Sequence, residues 1–367
     1  MQFEKMASIP LRTHEPSVIP PNPIAVLHPA SYLPHIPLMA LGELLGLSPL
    51  VIFYLGRIAG LTAGVALTFL AIRIVPVHKN ALASIALLPP VLFSRSTLDA
   101  DQFTNGLAFL FLALVMREIG AKGRISSVTL AGLSIGGLIL AQCKSAYLFL
   151  PLLALAIPVE RFGSGRSKAL AMTVIALPGL LGSVAWMVTL KQTYFQGLRY
   201  RTWSGLVLPD QQLNLILSQP LIYGEPVART VFATPLLPKS VIEFLGVFGP
   251  PVMMPTAFYP ALAILTGSAI LSEERASQSP LHEWRTRALA LSLALVTILV
   301  ILTLLYIQWT RFQAPIVQGF NGRYFYPLAP LLLLFAPSSG IAFLGVPGRC
   351  WLILVGLVSL GGTLWVT

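Results

Sequence analysis

Charged side chains are scarce in this chain: only 10% of its 367 residues are Asp, Glu, Lys or Arg, against about 25% in a soluble domain. With 56% hydrophobic residues and a mean hydropathy of +0.80, that scarcity excludes a soluble globular fold and points to an integral membrane protein. Cysteine is nearly absent as well. The two that occur, Cys143 and Cys350, fall on opposite sides of the membrane in the topology derived below and cannot pair, and no Cys/His spacing of metal-ligand type exists. Met1 to Ser31 does not read as a secretory signal, because it is polar and proline-rich with no apolar core of sufficient length. Without fixed-period repeats or low-complexity stretches, one membrane domain is the simplest organisation.

What the chain does have is a series of about ten apolar segments near the length that spans a bilayer as a helix. They run approximately 48–75, 80–96, 100–117, 126–142, 145–160, 168–190, 250–271, 287–308, 324–342 and 349–366. The expected fold is therefore all-α, a polytopic transmembrane helical bundle of about ten spans. It divides into an external N-terminal segment with an interfacial helix at 1–47, transmembrane helices at 48–190, an external loop with amphipathic segments at 191–249, and transmembrane helices at 250–367.

The net charge of +11 and the pI near 10.0 reflect membrane orientation rather than nucleic-acid binding, because the basic residues are scattered across short loops and form no soluble face. Arg73 and Lys79, then Arg117, Lys122 and Arg124, then Arg161, Arg166 and Lys168, then Arg275, Arg285 and Arg287, then Arg349 fall in every second loop. Such alternation marks the cytoplasmic side of a bacterial inner membrane. The intervening short loops hold only Arg95, Lys144, Arg311 and Arg323, so the functional face is expected to be extracytoplasmic. On that face, residues 28–46 carry Pro34, His35, Pro37 and Glu43 and suit a short interfacial helix. The long loop mixes Tyr194, Tyr200, Trp203, Tyr223 and Phe232 with Arg199, Arg201 and Arg229. That composition sits at headgroup level, either resting on the membrane or covering a lipid-linked substrate as a lid.

Four segments carry a family resemblance: YLPHIPLMALGELLGLSPLVIFYLGR at 32–57, STLDADQFTNGLAFLFLAL at 96–114, CKSAYLFLPLL at 143–153 and QGFNGRYFYPLAPLLLL at 318–334. Their order and spacing resemble DUF2142, a bacterial family of multi-spanning membrane proteins of unknown function. That family is in turn similar to the GT-C glycosyltransferases. The resemblance implies a polyprenyl-phosphate-linked sugar as donor on the outer side of the membrane, a cell-envelope glycan as acceptor, and a divalent cation, Mg or Mn, as a candidate cofactor. It also implies an N-terminal helix and an external loop with an Asp-Glu-Pro-x-His type acidic motif upstream of the region matched here. The chain is expected to start within that loop, and Glu15 in THEPS at 13–17 is the nearest counterpart of the acid. GVFGPPVMMP at 246–255 stands where family members often carry a Trp and an Asp.

Sugar transfer from a phosphate-linked donor needs a base for the acceptor hydroxyl and cations for the departing phosphate. Asp101, with Asp99 two residues earlier at the outer mouth of a helix, is the candidate for the catalytic carboxylate or for holding a metal. The alternative for both is helix capping. Lys144 sits in a tight turn between apolar segments, where it either snorkels or reaches a phosphate, with Tyr147 as an extra donor. Arg323 offers a planar fork that matches phosphate oxygens; Gly322 before it allows close approach, and Tyr324 and Tyr326 add hydroxyls. Arg57 lies about 14 Å into an apolar segment at helical rise, paired structurally with Glu43 or facing a ligand. The expected substrate-binding set is Arg323, Lys144, Tyr147, Tyr324, Arg57 and His35. Two competing classes remain: a transporter or flippase for a polyprenyl-linked glycan, which needs two pseudo-repeated halves, and a non-catalytic subunit of an envelope-glycan assembly.

Overall fold

The computed structural model describes residues 2–11, 27–191, 200–202, 205–249, 252–271, 280–336 and 348–366. Glu15, Tyr194, Arg199, Trp203 and Arg275 lie outside them. The chain is nearly all-α. Its helices are α1 (Gln2–Ala7), α2 (Ile36–Leu44), α3 (Pro49–Ile74), α4 (Lys79–Ala86), α5 (Pro89–Arg95), α6 (Ala100–Gly120), α7 (Ser127–Cys143) and α8 (Gly165–Leu190). They continue with α9 (Pro209–Ser218), α10 (Pro220–Phe232), α11 (Leu236–Gly246), α12 (Phe258–Leu271), α13 (Trp284–Gln308), α14 (Ala329–Leu333) and α15 (Gly348–Val366). Two short antiparallel hairpins, β1 (Tyr200–Thr202) with β2 (Gly205–Val207) and β3 (Val247–Gly249) with β4 (Val252–Met253), flank the helices that follow α8.

Among the described residues, four helices are long and apolar enough to cross a membrane: α3, α6, α8 and α13. The other expected spans take different forms, and proline explains most of them. The 80–96 segment breaks into α4 and α5 where Leu88 is extended before Pro89, the conformation that a following proline favours. The 145–160 segment winds as 3-10 turns at Ser145–Tyr147, Leu150–Ala156 and Val159–Arg161, with Pro151 near the start of the longest. The 250–271 segment opens in the β3–β4 hairpin and leaves a helix of 14 residues. The 324–342 segment becomes a 3-10 turn at Gly322–Leu328 and the five residues of α14. Apolar character here reflects burial in protein: Leu150, Leu153, Ala154 and Ile157 are fully enclosed.

The core is organised around α6. In its most apolar stretch 72% of residues are buried, against 17%, 22% and 33% in α3, α8 and α13, so α6 is the central post and the others face outward. Glycines let α3 lie directly on it. Gly56, Gly60 and Gly64 are all buried on one face of α3, and a Cβ on Gly106 of α6 would stand 3.2 Å from the Gly64 carbonyl oxygen. The pairing of α7 with α8 uses the same device, since a Cβ on Gly137 would be 2.7 Å from the Ile175 carbonyl oxygen. Small residues at helix contacts are what membrane bundles use where burial of apolar surface gives little drive.

The end of α6 expected on the cytoplasmic side is closed by a buried ion pair. Arg161, 6% exposed, pairs with Glu118, 4% exposed, and donates to the backbone carbonyls of Lys122 and Gly123. It thereby ties the α6–α7 turn to the 3-10 segment before α8. Glu118 keeps the half-exposed Arg117 on its other oxygen, so Arg161→Ala is expected to cost about 1 to 3 kcal/mol, measured as unfolding of the chain in detergent. Arg229→Ala, whose partner Glu225 is as exposed as itself, should leave the midpoint unchanged.

Candidate functional site

At the opposite end of α6, about 25 Å away at helical rise, the three charges singled out from the sequence come together. Asp99 caps the helix: its Oδ1 accepts from the Asp101 N–H at 3.2 Å and its Oδ2 from the Ser94 hydroxyl at 3.3 Å. That cap fixes the first turn and aims Asp101 at Lys144, which directly follows α7. The Lys144 ammonium donates to Asp101 Oδ1, and Arg323 Nε lies 3.7 Å from Asp101 Oδ2. One carboxylate thus holds two cations, one on each oxygen. The Tyr324 ring lies 5.6 Å from Lys144 Nζ and 5.7 Å from Arg323 Cζ, within cation–π range of both. The Tyr147 hydroxyl donates to the Tyr324 carbonyl at 3.3 Å.

Arg323 owes its place to its own turn and to α11. Asn321 caps the 3-10 turn by accepting from the Arg323 N–H at 3.1 Å, and Glu243 of α11 accepts from the Gly322 N–H at 2.8 Å. The Tyr326 hydroxyl donates to the Phe244 carbonyl at 2.7 Å. Position 322 must be glycine, because a Cβ there would lie 2.8 Å from Glu243 Cβ and collide with the α11 backbone. The close approach expected of Gly322 is therefore to α11.

These side chains line a cavity of about 540 Å³, a size typical of small-molecule sites. Of the residues expected from the sequence, Asp99, Asp101, Lys144, Tyr147, Arg323 and Tyr324 line it. His35 and Arg57 are not among its lining residues. His35 is 1% exposed and packs beside Gly60 and Gln102 between α3 and α6. Arg57 donates through Nε to the Ser96 carbonyl and stacks near Phe53 and Tyr54; no ion pair joins it to Glu43. Sequence reasoning missed His28, Tyr32, Gln142, Gln308 and Trp309, which also line the cavity. Nothing in their local sequence marks them, since three separate parts of the chain supply them. A second cavity of about 40 Å³, with room for an ordered water, shares Asp99, Asp101 and Arg323 with the first and is backed by Asn105 and Phe248.

Electrostatically the two carboxylates differ. Asp101 is engaged by both cations, whereas Asp99, at the cap, is held above the usual carboxylate range by its burial and then by the neighbouring Asp101 charge. Arg323 remains cationic, raised further by Asp101, and its side chain is half exposed. Among the described residues no group of three or more His, Cys, Asp or Glu side chains gathers as a metal cage. With Asp101 taken by two cations, the donors present do not fit Mg or Mn.

In a double-mutant cycle, Asp101→Asn and Lys144→Met should couple by about 1.5 to 3 kcal/mol in unfolding free energy, and Asp101→Asn with Arg323→Met should couple less, because Arg323 is half exposed. Additive effects at Asp101 and Lys144 would contradict the network.

A family model described as a predicted membrane protein, DUF2142, matches residues 9–332. It takes in the first three motifs whole and the fourth up to residue 332. No curated protein and no solved structure matches the chain. Apolar helices, a site built from the matched region and the extent of that match agree: this chain belongs to the DUF2142 family of predicted membrane proteins.

Proposed function

We propose that the chain is a GT-C-like membrane glycosyltransferase that takes a sugar from a polyprenyl-phosphate donor, at the extracytoplasmic face of a bacterial inner membrane, and passes it to a cell-envelope glycan. The observation that carries this reading is the setting of Arg323. Asp101 holds its Nε side, while the half-exposed guanidinium lines a cavity whose remaining wall includes Met187, Leu190, Ile301, Leu304 and Leu305. A cation fork beside an apolar wall suits a ligand that is phosphate at one end and prenyl chain at the other.

In this reading the acceptor hydroxyl oxygen bonds to the anomeric carbon as the bond from that carbon to the phosphate oxygen breaks. The hydroxyl proton passes to the Asp99 carboxylate, and polyprenyl phosphate departs as an anion against Arg323 and Lys144. A base needs a pKa near the working pH, and the direction of the Asp99 shift serves that need. Asp101 is then a positioning residue for both cations rather than the base. A second reading, a binding subunit without transferase activity, is favoured by that same engagement of Asp101, since it removes one of the two expected catalytic carboxylates.

Purified chain in nanodiscs, given radiolabelled polyprenyl-phosphate hexose and a membrane glycan acceptor, is expected to consume the donor. Arg323→Ala should lower turnover by about a hundredfold or more, and Asp99→Asn by about 10² to 10⁴. Because the base acts unprotonated, activity should rise with pH through the raised Asp99 pKa, with an acid limb above the usual carboxylate range that Asp99→Asn abolishes. Full turnover by both variants would overturn the assignment, and donor binding without turnover would favour the binding subunit.

A further inference from the structure

The cavity has a part that the ionic network does not use. Of its lining residues only Asp99, Asp101, Lys144 and Arg323 are formally charged at neutral pH, and they are two of each sign. The other polar lining is neutral, and much of it is held in place from outside the cavity. Gln142 donates through Nε2 to the Gly179 carbonyl at 3.1 Å, which fixes its amide and presents its oxygen as an acceptor. His28 accepts the Ala30 N–H on Nδ1 at 3.1 Å, which sets the tautomer with its proton on Nε2; burial lowers its pKa, so the ring stays neutral.

Gln308 and Trp309 come from the end of α13, and α9 holds that end. Gln212, fully buried, donates to the carbonyls of Tyr306 at 2.6 Å and Thr310 at 2.8 Å. Gly319, at φ 83°, lies against the indole, where a Cβ would come 2.8 Å from Nε1. The indole is therefore clamped by backbone on one side while it lines the cavity.

We infer that this neutral part of the cavity is a subsite for an uncharged sugar ring, with Trp309 against the apolar C–H face of the ring and Gln308, Gln142 and His28 meeting its hydroxyls. The inference rests on the lipid-phosphate reading above and adds a selectivity to it. A flat aromatic surface with fixed amides and an imidazole matches a ring that is apolar on its face and hydroxyl-bearing at its edge. A uronic acid does not fit. Its carboxylate would enter a site whose two cations already hold Asp101 and face the phosphate, and a charge buried without a partner is strongly disfavoured.

The test measures binding of three short-chain probes to the full chain in nanodiscs: prenyl methyl phosphate, prenyl hexosyl phosphate and prenyl uronyl phosphate. The first two carry the same single negative charge and differ only in the sugar. The hexosyl probe is expected to bind about tenfold tighter than the methyl probe, which corresponds to roughly one net hydrogen bond or stacking contact, and the uronyl probe should bind no tighter than the methyl probe. Trp309→Ala should abolish the hexosyl advantage while leaving methyl-probe affinity unchanged, which also shows that the variant is folded; Trp309→Phe should keep most of it. Equal affinity for hexosyl and methyl probes, or tighter binding of the uronyl probe, would overturn the subsite while leaving the phosphate reading intact. Failure of all three probes to bind would overturn both.

Discussion

Asp101 is the constraint on which the site depends. A carboxylate in the first turn of the most buried helix holds an ammonium 43 residues away in sequence and a guanidinium from near the end of the matched region. None of the three charges would be tolerated alone beside hydrocarbon. Together they leave one net positive charge, join α6, the end of α7 and the 3-10 turn at Gly322–Leu328, and turn the open part of Arg323 toward the cavity. Removing the carboxylate would leave two cations repelling one another, so the geometry of Lys144 and Arg323 and the stability of that end of the bundle are one property.

The remaining architecture holds this network in register. Glycine faces bring α3 within backbone distance of α6, and α7 within backbone distance of α8, while Gly136 of α7 lies against Phe111 of α6; the packing of α6 on α7 places the Asp101 and Lys144 turns side by side. The helices between α8 and α12 contribute as well: α11 fixes the Arg323 turn through Glu243 and Phe244, and α9 fixes the end of α13 through Gln212. The segment between α8 and α12 thus supports the site from behind, and its Val247 and Phe248 line the smaller cavity. Its exposed apolar side chains, Leu217, Leu221 and Phe232 among them, are suited to headgroup level.

The sequence made the membrane class and the convergence of Asp101, Lys144 and Arg323 legible, because intramembrane charge is costly enough to be informative wherever it occurs. Capping by Asp99 was legible for the same local reason. Hydropathy misjudged the span pattern at 80–96 and 145–160, since it registers exclusion from water and cannot distinguish lipid from protein as the surroundings. Polarity suggests a ligand for His35, and a ligand or a structural partner for Arg57; the first is enclosed between α3 and α6, and the second donates to the Ser96 carbonyl. Gln142 and Trp309 carry no local signal at all; only the packing of α7, α8 and α13 brings them to one cavity.

The central claim is that Asp101 orients Arg323 to receive a lipid phosphate. An experimental structure of the chain in nanodiscs with a prenyl phosphodiester tests it most directly. The account predicts phosphate density within hydrogen-bond distance of the Arg323 guanidinium, with the Asp101–Lys144 pair intact and the prenyl chain along Leu190, Ile301 and Leu305. Phosphate bound elsewhere, or Arg323 turned out of the cavity and away from Asp101 in the complex, would contradict it.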